Sequence, residues 1–279
     1  MIRIETESHW WLLTHKAHAE LAGAFARHWK NPDFLPPDPF VSVLDAVSRH
    51  DDSWEPRDAD PELTPDGNPS AFSSELVGSY DAFEEIDLEA YLNVRGNATE
   101  QAAARDPYAA VLISMHTVNL LTDQADLSTL STSGKTLHSA FIEGQLSRQQ
   151  ELKSIIRSQP DLAPFASDDH FARGFRFLQA CDSFSLYLGV AYESPGALRH
   201  PQPMRGGGEA IITLNPAGPG QYTLDPYPLD QPAITFAIPY RKVAKADTAT
   251  LARFRAAYRD APLEYRHVTI NPKSQYTVV

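Results

Sequence analysis

The chain has 279 residues, a formal net charge of -12 and 42% hydrophobic residues. This hydrophobic content supports a folded core and excludes a disordered chain, and the acidic balance argues against binding along a nucleic-acid backbone, which usually needs a basic face. The lone Cys181 excludes an intramolecular disulfide, a multi-cysteine zinc site and an iron–sulfur cluster.

The beginning of the chain shows no targeting segment. Residues 1–13 contain no basic segment that leads into a long apolar run. No stretch reaches the roughly 18 apolar residues that a membrane span needs. We therefore expect a cytoplasmic protein without a membrane partner.

The first predicted helix covers residues 15–29. His18 and Leu21 lie on the same face of it because they are three residues apart. Asn31 and Pro32 end the helix, since the residue before a proline disfavours helical backbone angles. A histidine therefore lies on the apolar face of this helix.

The second predicted helix covers residues 38–51. Val43 and Val47 belong to its apolar stripe, and His50 and Asp51 extend that stripe by one turn. An adjacent histidine and aspartate at the inner end of such a stripe can both point at one site. Imidazole nitrogen and carboxylate oxygen are ligands that suit zinc, manganese or iron.

Residues 52–104 differ from the preceding helices. They are rich in proline, aspartate, glutamate, serine and glycine, and their hydrophobic periodicity is weak. The pattern predicts a long excursion with short helical pieces near residues 81–93. Long segments of this kind are often functional or mobile. Because the excursion follows His50 and Asp51 directly, we expect it to form a lid or wall over that site.

Three further helices are predicted in residues 106–124, 135–158 and 168–192. The first is apolar nearly all round, which indicates a buried helix. Asp106 is its expected cap, and Pro107 occupies its first position.

His116 and Asp182 lie among apolar neighbours in two of these helices. A buried carboxylate costs several kcal/mol unless it is paired or bound to a metal. The alternatives are that His116 is an ordinary core histidine and that Asp182 pairs with Arg173 or Arg176. A metal site accounts for both residues together.

The sequence changes in character after Pro195. Strands are predicted for the segments EAIITL, QYTLD and AITFAIPY, followed by a helix at 247–259 and a strand at 263–270. We therefore predict a mainly α protein. Residues 1–195 would form its helical metal-binding core, and residues 196–279 a small C-terminal α+β region packed on that core.

Four separate predicted helices each place a ligand-type side chain on an apolar face. Facing side chains of a helix bundle are a common way to build a metal site. The combined pattern predicts a site for one or two divalent ions of iron, manganese or zinc. Its expected ligands are His18, His50, Asp51, His116 and Asp182.

The order of these ligands resembles the HD-domain superfamily of metal-dependent phosphohydrolases over about residues 15–190. The strings THKAHAELAGAFARHW, VSRHDDSW, YAAVLISMH and LQACDSFSLYL also resemble an uncharacterised bacterial family with an HD-like arrangement. The superfamily resemblance implies an HD-like helical bundle and hydrolysis of a small phosphate ester or nucleotide. Many HD hydrolases place Gly-Lys shortly after the His-Asp pair, where this chain has Asp52-Ser53-Trp54.

The same resemblance implies roles for further residues. Asp51 would bridge two metal ions or orient a water, as a catalytic residue. Arg49 and Arg57 are candidates to support an anionic substrate, with solvated surface charges as the alternative. His138 is a candidate ligand of a second metal ion, and Glu143 is the alternative from the same helix.

Two other functions stay open at this stage. The superfamily also includes diiron oxygenases, which use about four histidines and two aspartates, a set that this chain reaches when His138 is counted. The other alternative is a non-enzymatic protein that binds a ligand or a protein through residues 52–104. The partner we expect is a small anionic molecule rather than nucleic acid, and a homodimer is also considered.

Overall fold

A computed structural model describes residues 1–77 and 87–273. The helices in these ranges are α1 (His15–His28), α2 (Phe40–Arg49), α3 (Glu55–Ala59), α4 (Leu88–Ala103), α5 (Pro107–Thr122), α6 (Thr132–Ser158), α7 (Asp168–Gly189) and α8 (Leu251–Asp260). The strands are β1 (Ile2–Glu5), β2 (His9–Leu13), β3 (Gly196–Ala197), β4 (Gln202–Pro203), β5 (Glu209–Ala210), β6 (Thr213–Gly218), β7 (Gln221–Asp225), β8 (Ile234–Ala244) and β9 (Leu263–Pro272).

The main sheet has seven strands in the order β1-β2-β8-β9-β7-β6-β3. Strands β7 and β9 run parallel, and the other neighbours run antiparallel. Strands β4 and β5 form a separate two-stranded ribbon. The sheet therefore joins the first residues of the chain to the last described ones.

The predicted fold class, a mainly α HD-like bundle with a small C-terminal α+β appendage, is wrong. Helix accounts for 52% of the structure and strand for 21%, and the sheet is too large to be an appendage. The sequence did not predict strands β1 and β2. In the structure β1 pairs with β2, and β2 pairs with β8, where Trp10 lies opposite Val243. Strands of four and five residues are too short to show a clear period. The division after residue 195 stays a prediction.

One face of the sheet shares a hydrophobic core with helices α1 and α7. Phe25 of α1 stacks on Phe184 of α7 with ring centroids 3.7 Å apart. Phe184 in turn meets Phe236 of β8 edge-on at 5.7 Å. All three rings are buried, so α1 and α7 are held against the sheet by aromatic packing.

The long predicted helices α1, α2, α5, α6 and α7 are confirmed, with ends that differ by a few residues. Asp106 caps α5 and Pro107 begins it, as expected. Helix α4 is longer than the short helical piece expected near 81–93, of which residues 81–86 lie outside the described ranges. Within those ranges, no helix combines the length and the apolar character needed to cross a membrane.

Candidate metal centre

Five buried His and Asp side chains meet at the centre of the helices. They come from α1, from the turn directly after α2, from α5 and from α7. The most exposed of them, Asp182, is only 6% accessible to solvent. They are the predicted ligands His18, His50, Asp51, His116 and Asp182.

The ligand atoms of these residues lie close enough to share metal ions. His18 Nε2 is 2.9 Å from Asp182 Oδ1, and His50 Nε2 is 3.4 Å from the same oxygen. In the described part of the chain, His18, His50 and Asp51 form one group with ligand atoms within 4.8 Å of one another. His50, His116 and Asp182 form a second such group. Because His50 belongs to both, the arrangement suits one ion or two adjacent ions.

The two nitrogens of His50 have different surroundings. Its Nδ1 lies 2.9 Å from the carbonyl oxygen of Val47, which can only accept, so Nδ1 carries a proton. Its buried Nε2 makes no hydrogen bond and lies 3.4 Å and 3.7 Å from carboxylate oxygens of Asp182 and Asp51. A nitrogen lone pair facing two carboxylates is unfavourable unless a cation lies between them. The position is therefore suited to a metal ion or, in its absence, to a proton on Nε2.

The protonation states of the cluster follow from burial and from its opposing charges. Burial lowers the pKa of His50, but the carboxylates of Asp51 and Asp182 outweigh it and raise that pKa to about 9. Burial lowers the pKa of His116 to about 3. Burial opposes ionisation of Asp51, but Arg95 and His50 hold the pKa of its carboxyl well below the usual range. Ionised carboxylates and a neutral imidazole are the states that bind a metal.

Arg95 of α4 holds Asp51 in place from outside the cluster. Its Nη1 donates to Asp51 Oδ1 at 2.8 Å, and its Nε donates to the hydroxyl of Tyr91 at 3.1 Å. The guanidinium also lies over the ring of Trp54 at 5.3 Å. Asp51 is thus oriented by a buried cation, which leaves its second oxygen directed at His50.

Two polar side chains of α7 support the histidines. Ser185 Oγ lies 2.5 Å from His18 Nδ1, and Gln179 Nε2 lies 3.4 Å from His116 Nδ1. Partners of this kind set the orientation and tautomer of a ligating imidazole. Helix α7 therefore supplies both a ligand and the groups that position two others.

A cleft of about 780 Å³, including its open mouth, leads to the cluster. Four of the five cluster residues line it, together with His15, Arg95 and Arg199. Phe72 and Val77 come from the 52–104 excursion. The expectation that this excursion forms a wall at the site is thus confirmed for its described part, while residues 78–86 lie outside the described ranges.

A family model described as a protein of unknown function (DUF3891) matches residues 1–245. The chain belongs to the DUF3891 family. No curated protein and no solved structure matches it. None of these comparisons links this DUF3891 protein to the HD-domain superfamily.

His138 and Glu143 of the DUF3891 protein are not brought to the cluster. His138 is buried on α6, where its Nε2 lies 2.9 Å from the carbonyl oxygen of Leu121. That nitrogen therefore donates to a backbone carbonyl and does not face the cluster. Glu143 is exposed on the same helix.

Arg49 and Arg57 do not line the cleft. Arg49 is exposed, with its Nε 3.1 Å from Asp45 and its Nη1 3.5 Å from Asp52. Arg57 is half-buried on α3. The cleft of this DUF3891 protein takes its positive charge from other arginines.

The cleft also contains three residues that were not predicted from the sequence: His15, Arg95 and Arg199. The sequence could have indicated His15, because it lies three residues before His18 at the start of the same helix and therefore on the same helix face. Arg95 lies in a region of weak periodicity, and Arg199 follows Pro195, where the sequence changes in character. Nothing in the pattern around either arginine indicated proximity to the ligands.

Proposed function

We propose that this protein is a metal-dependent hydrolase that acts on a small phosphate ester. It would hold one or two divalent ions of iron, manganese or zinc. The observation that carries the proposal is the convergence of five buried His and Asp side chains, in which His50 Nε2 faces carboxylate oxygens of Asp182 and Asp51 at 3.4 Å and 3.7 Å. The proposed ligands are His18, His50, Asp51, His116 and Asp182.

The side chains around the cluster suit attack by water on a phosphate ester. A bound divalent metal supplies Lewis acidity and lowers the pKa of a coordinated water toward neutrality. Asp51 has one oxygen engaged by Arg95, and its second oxygen, which faces His50, would bind the metal beside the attacking water. Arg199 lines the same cleft and can balance the charge of the phosphate.

The diiron oxygenase alternative has less support from the geometry. It was based on a set of four histidines and two aspartates that included His138. The described cluster contains three histidines and two aspartates, and His138 bonds to the Leu121 carbonyl instead. We therefore favour hydrolysis over oxygenation and over a metal-free binding role.

The expected partner is a small anionic molecule. The net charge of -12 opposes binding to a nucleic-acid backbone, and the cleft places an arginine beside the cluster. Action in the cytoplasm and assembly as a homodimer remain part of this proposal and stay predictions.

The metal content of the purified protein tests the proposal first. Plasma mass spectrometry on protein prepared without chelator should find one or two ions per chain, lost in Asp182→Asn and kept in the control Asp169→Asn. Asp169 is exposed near the start of the same helix. The metal-loaded wild type should then hydrolyse p-nitrophenyl phosphate.

Two results would redirect or overturn the proposal. No metal in any preparation, and none after adding iron, manganese or zinc, would remove the metal centre. Two irons per chain with oxygen consumption and without phosphatase activity would establish the oxygenase alternative.

A further inference from the structure

The cleft above the metal centre has apolar walls from several parts of the chain. Leu120 of α5 and Leu186 of α7 line it from the helices, and Ile2 of β1 lines it from the sheet. Phe72 and Leu76 contribute from the excursion after α3. A bound molecule that reaches the cluster can therefore place its remaining part against hydrocarbon.

Among the described residues, each uncharged polar side chain of the same walls already makes a hydrogen bond. Ser183 Oγ donates to a backbone carbonyl of its own helix and accepts from the backbone N–H of Arg199, both at 3.0 Å. The hydroxyl of Tyr187 donates to a backbone carbonyl at 3.2 Å, and Gln124 donates to Asn119 at 2.7 Å. A nucleobase is recognised through hydrogen bonds at its edges. The described residues of these walls therefore leave few hydrogen-bonding groups for a nucleobase.

Among the described residues, Arg199 is a cleft arginine without an ion-pair partner. Arg95 pairs with Asp51, whereas no carboxylate in residues 1–77 and 87–273 forms an ion pair with Arg199. The backbone at Arg199 is held by Ser183, and the next residue, His200, has a positive φ of 61°. The backbone at Arg199 is thus fixed, and the residue lines the same cleft as four members of the cluster.

We propose that the substrate is a phosphomonoester of a small apolar or aromatic alcohol, and not a nucleotide. The inference rests on the proposed function and adds the class of the substrate. The phosphate lies between the metal centre and Arg199, and the alcohol part packs against Leu120, Leu186 and Phe72. Water forms the new P–O bond, the ester P–O bond breaks, and the alcohol leaves with a proton from that water.

Binding of phosphonates, whose P–C bond is not hydrolysed, tests the inference without relying on activity. Isothermal titration calorimetry of the zinc-loaded protein would compare phenylphosphonate, methylphosphonate and a phosphonate analogue of adenosine monophosphate. We expect phenylphosphonate to bind about tenfold more tightly than methylphosphonate, because its ring is buried against the apolar walls. The adenosine analogue should bind more weakly than phenylphosphonate.

Two substitutions in the apolar walls of the cleft test whether these walls cause the preference for phenylphosphonate over methylphosphonate. Leu186→Gln should abolish the advantage of the phenyl group and leave the affinity for methylphosphonate unchanged. Leu76→Gln, at a half-exposed position, should reduce the same advantage even if Leu186→Gln fails to fold. The matched control is Leu146→Gln, because Leu146 is 47% exposed on α6 and does not line the cleft.

One further variant tests the anion contact. Arg199→Gln should weaken all three phosphonates by about tenfold, as expected for the loss of one charge-assisted contact. Arg157→Gln, an exposed position on α6, should leave all three affinities unchanged. Metal content is measured in every variant, so that weaker phosphonate binding caused by the substitution itself can be distinguished from weaker binding caused by loss of the metal.

The outcomes separate this inference from the proposed function. Equal affinities for phenyl- and methylphosphonate, or an intact preference in both wall variants, would overturn the apolar substrate class. Tightest binding of the adenosine analogue would also overturn it and leave phosphoester hydrolysis standing. If no phosphonate binds the metal-loaded protein, the phosphoester proposal itself fails, and this inference fails with it.

Discussion

At the scale of single residues, His50 links the chemistry of the cluster to pH. Its raised pKa of about 9, against an ordinary 6.5, means that the folded metal-free protein holds a proton that the unfolded chain releases near neutrality. The resulting stabilisation of the metal-free fold is complete below pH 6.5 and is lost as the pH rises through about 9. A metal ion at Nε2 has to displace this proton.

The first prediction concerns that displacement. Metal binding at pH 7 should release about one proton per chain, and the apparent affinity should rise by up to about tenfold per pH unit until about pH 9. Calorimetry in two buffers with different ionisation enthalpies measures the released proton. Zinc binding without proton release at pH 7 would contradict the assigned protonation of His50.

The second prediction separates two buried histidines. His116→Gln should weaken metal binding at least about tenfold, because it removes one member of the cluster. His138→Gln should keep the metal, because His138 bonds to the Leu121 carbonyl outside the cluster. Competition with a chelator measures both affinities, and metal loss in His138→Gln alone would restore the larger ligand set of the oxygenase alternative.

At the scale of elements, Gly23 lets α1 and α2 approach closely. A Cβ atom at this position would lie 2.1 Å from Ser48 Oγ and 3.0 Å from Ser48 Cα. Because the backbone of α2 is one of the obstacles, rotation of a side chain cannot remove the clash. The two helices carry His18 and lead into His50, so their spacing also sets the geometry of the cluster.

The third prediction compares two glycines in helices. Gly23→Ala should lower the free energy of unfolding by about 1–3 kcal/mol through overpacking. Gly144→Ala on α6, where nothing lies within 4 Å of the added Cβ, should raise it by about 0.5–1 kcal/mol through helix propensity. Urea denaturation measures both changes. A neutral Gly23→Ala would show that α1 and α2 can separate without cost.

At the scale of the whole molecule, the sheet brings strands from the first and the last described parts of the chain into the same hydrophobic core. Strand β2 precedes the first ligand helix, and its partner β8 begins at Ile234. The aromatic contacts of Phe25, Phe184 and Phe236 continue this core into the helices. Unfolding of the sheet should therefore release α1 and α7, which carry two of the proposed ligands, His18 and Asp182.

The fourth prediction tests this coupling. Ile238→Ala, at a fully buried position of β8, should cost about 2–5 kcal/mol and shift the unfolding of helices and sheet together. Ala237→Ser, exposed on the same strand, should have little effect. Far-ultraviolet circular dichroism monitors mainly the helices. The fluorescence of Trp10 and Trp11, which pair with β8, monitors the sheet once Trp29 and Trp54 are replaced by phenylalanine. Separate transitions would instead support the predicted division after residue 195.

The amino-acid sequence by itself determined the long helices and the five members of the buried His and Asp cluster. Helix periodicity, caps such as Asp106 and breaks such as Asn31-Pro32 act over a few residues, so they can be recognised locally. His18, His50, Asp51, His116 and Asp182 were predicted because ionisable side chains on apolar helix faces are costly without a partner.

Only the tertiary structure decided the sheet and the surroundings of the cluster. The pairing of β2 with β8 joins residues more than 200 positions apart, and strands this short carry no distinctive period. His138 shares the apolar setting of the true cluster members, and only the path of α6 directs it to a backbone carbonyl. Arg95 and Arg199 reach the cleft through the packing of α4 and of the segment after α7. Their roles depend on distances through space, which no local pattern of residues encodes.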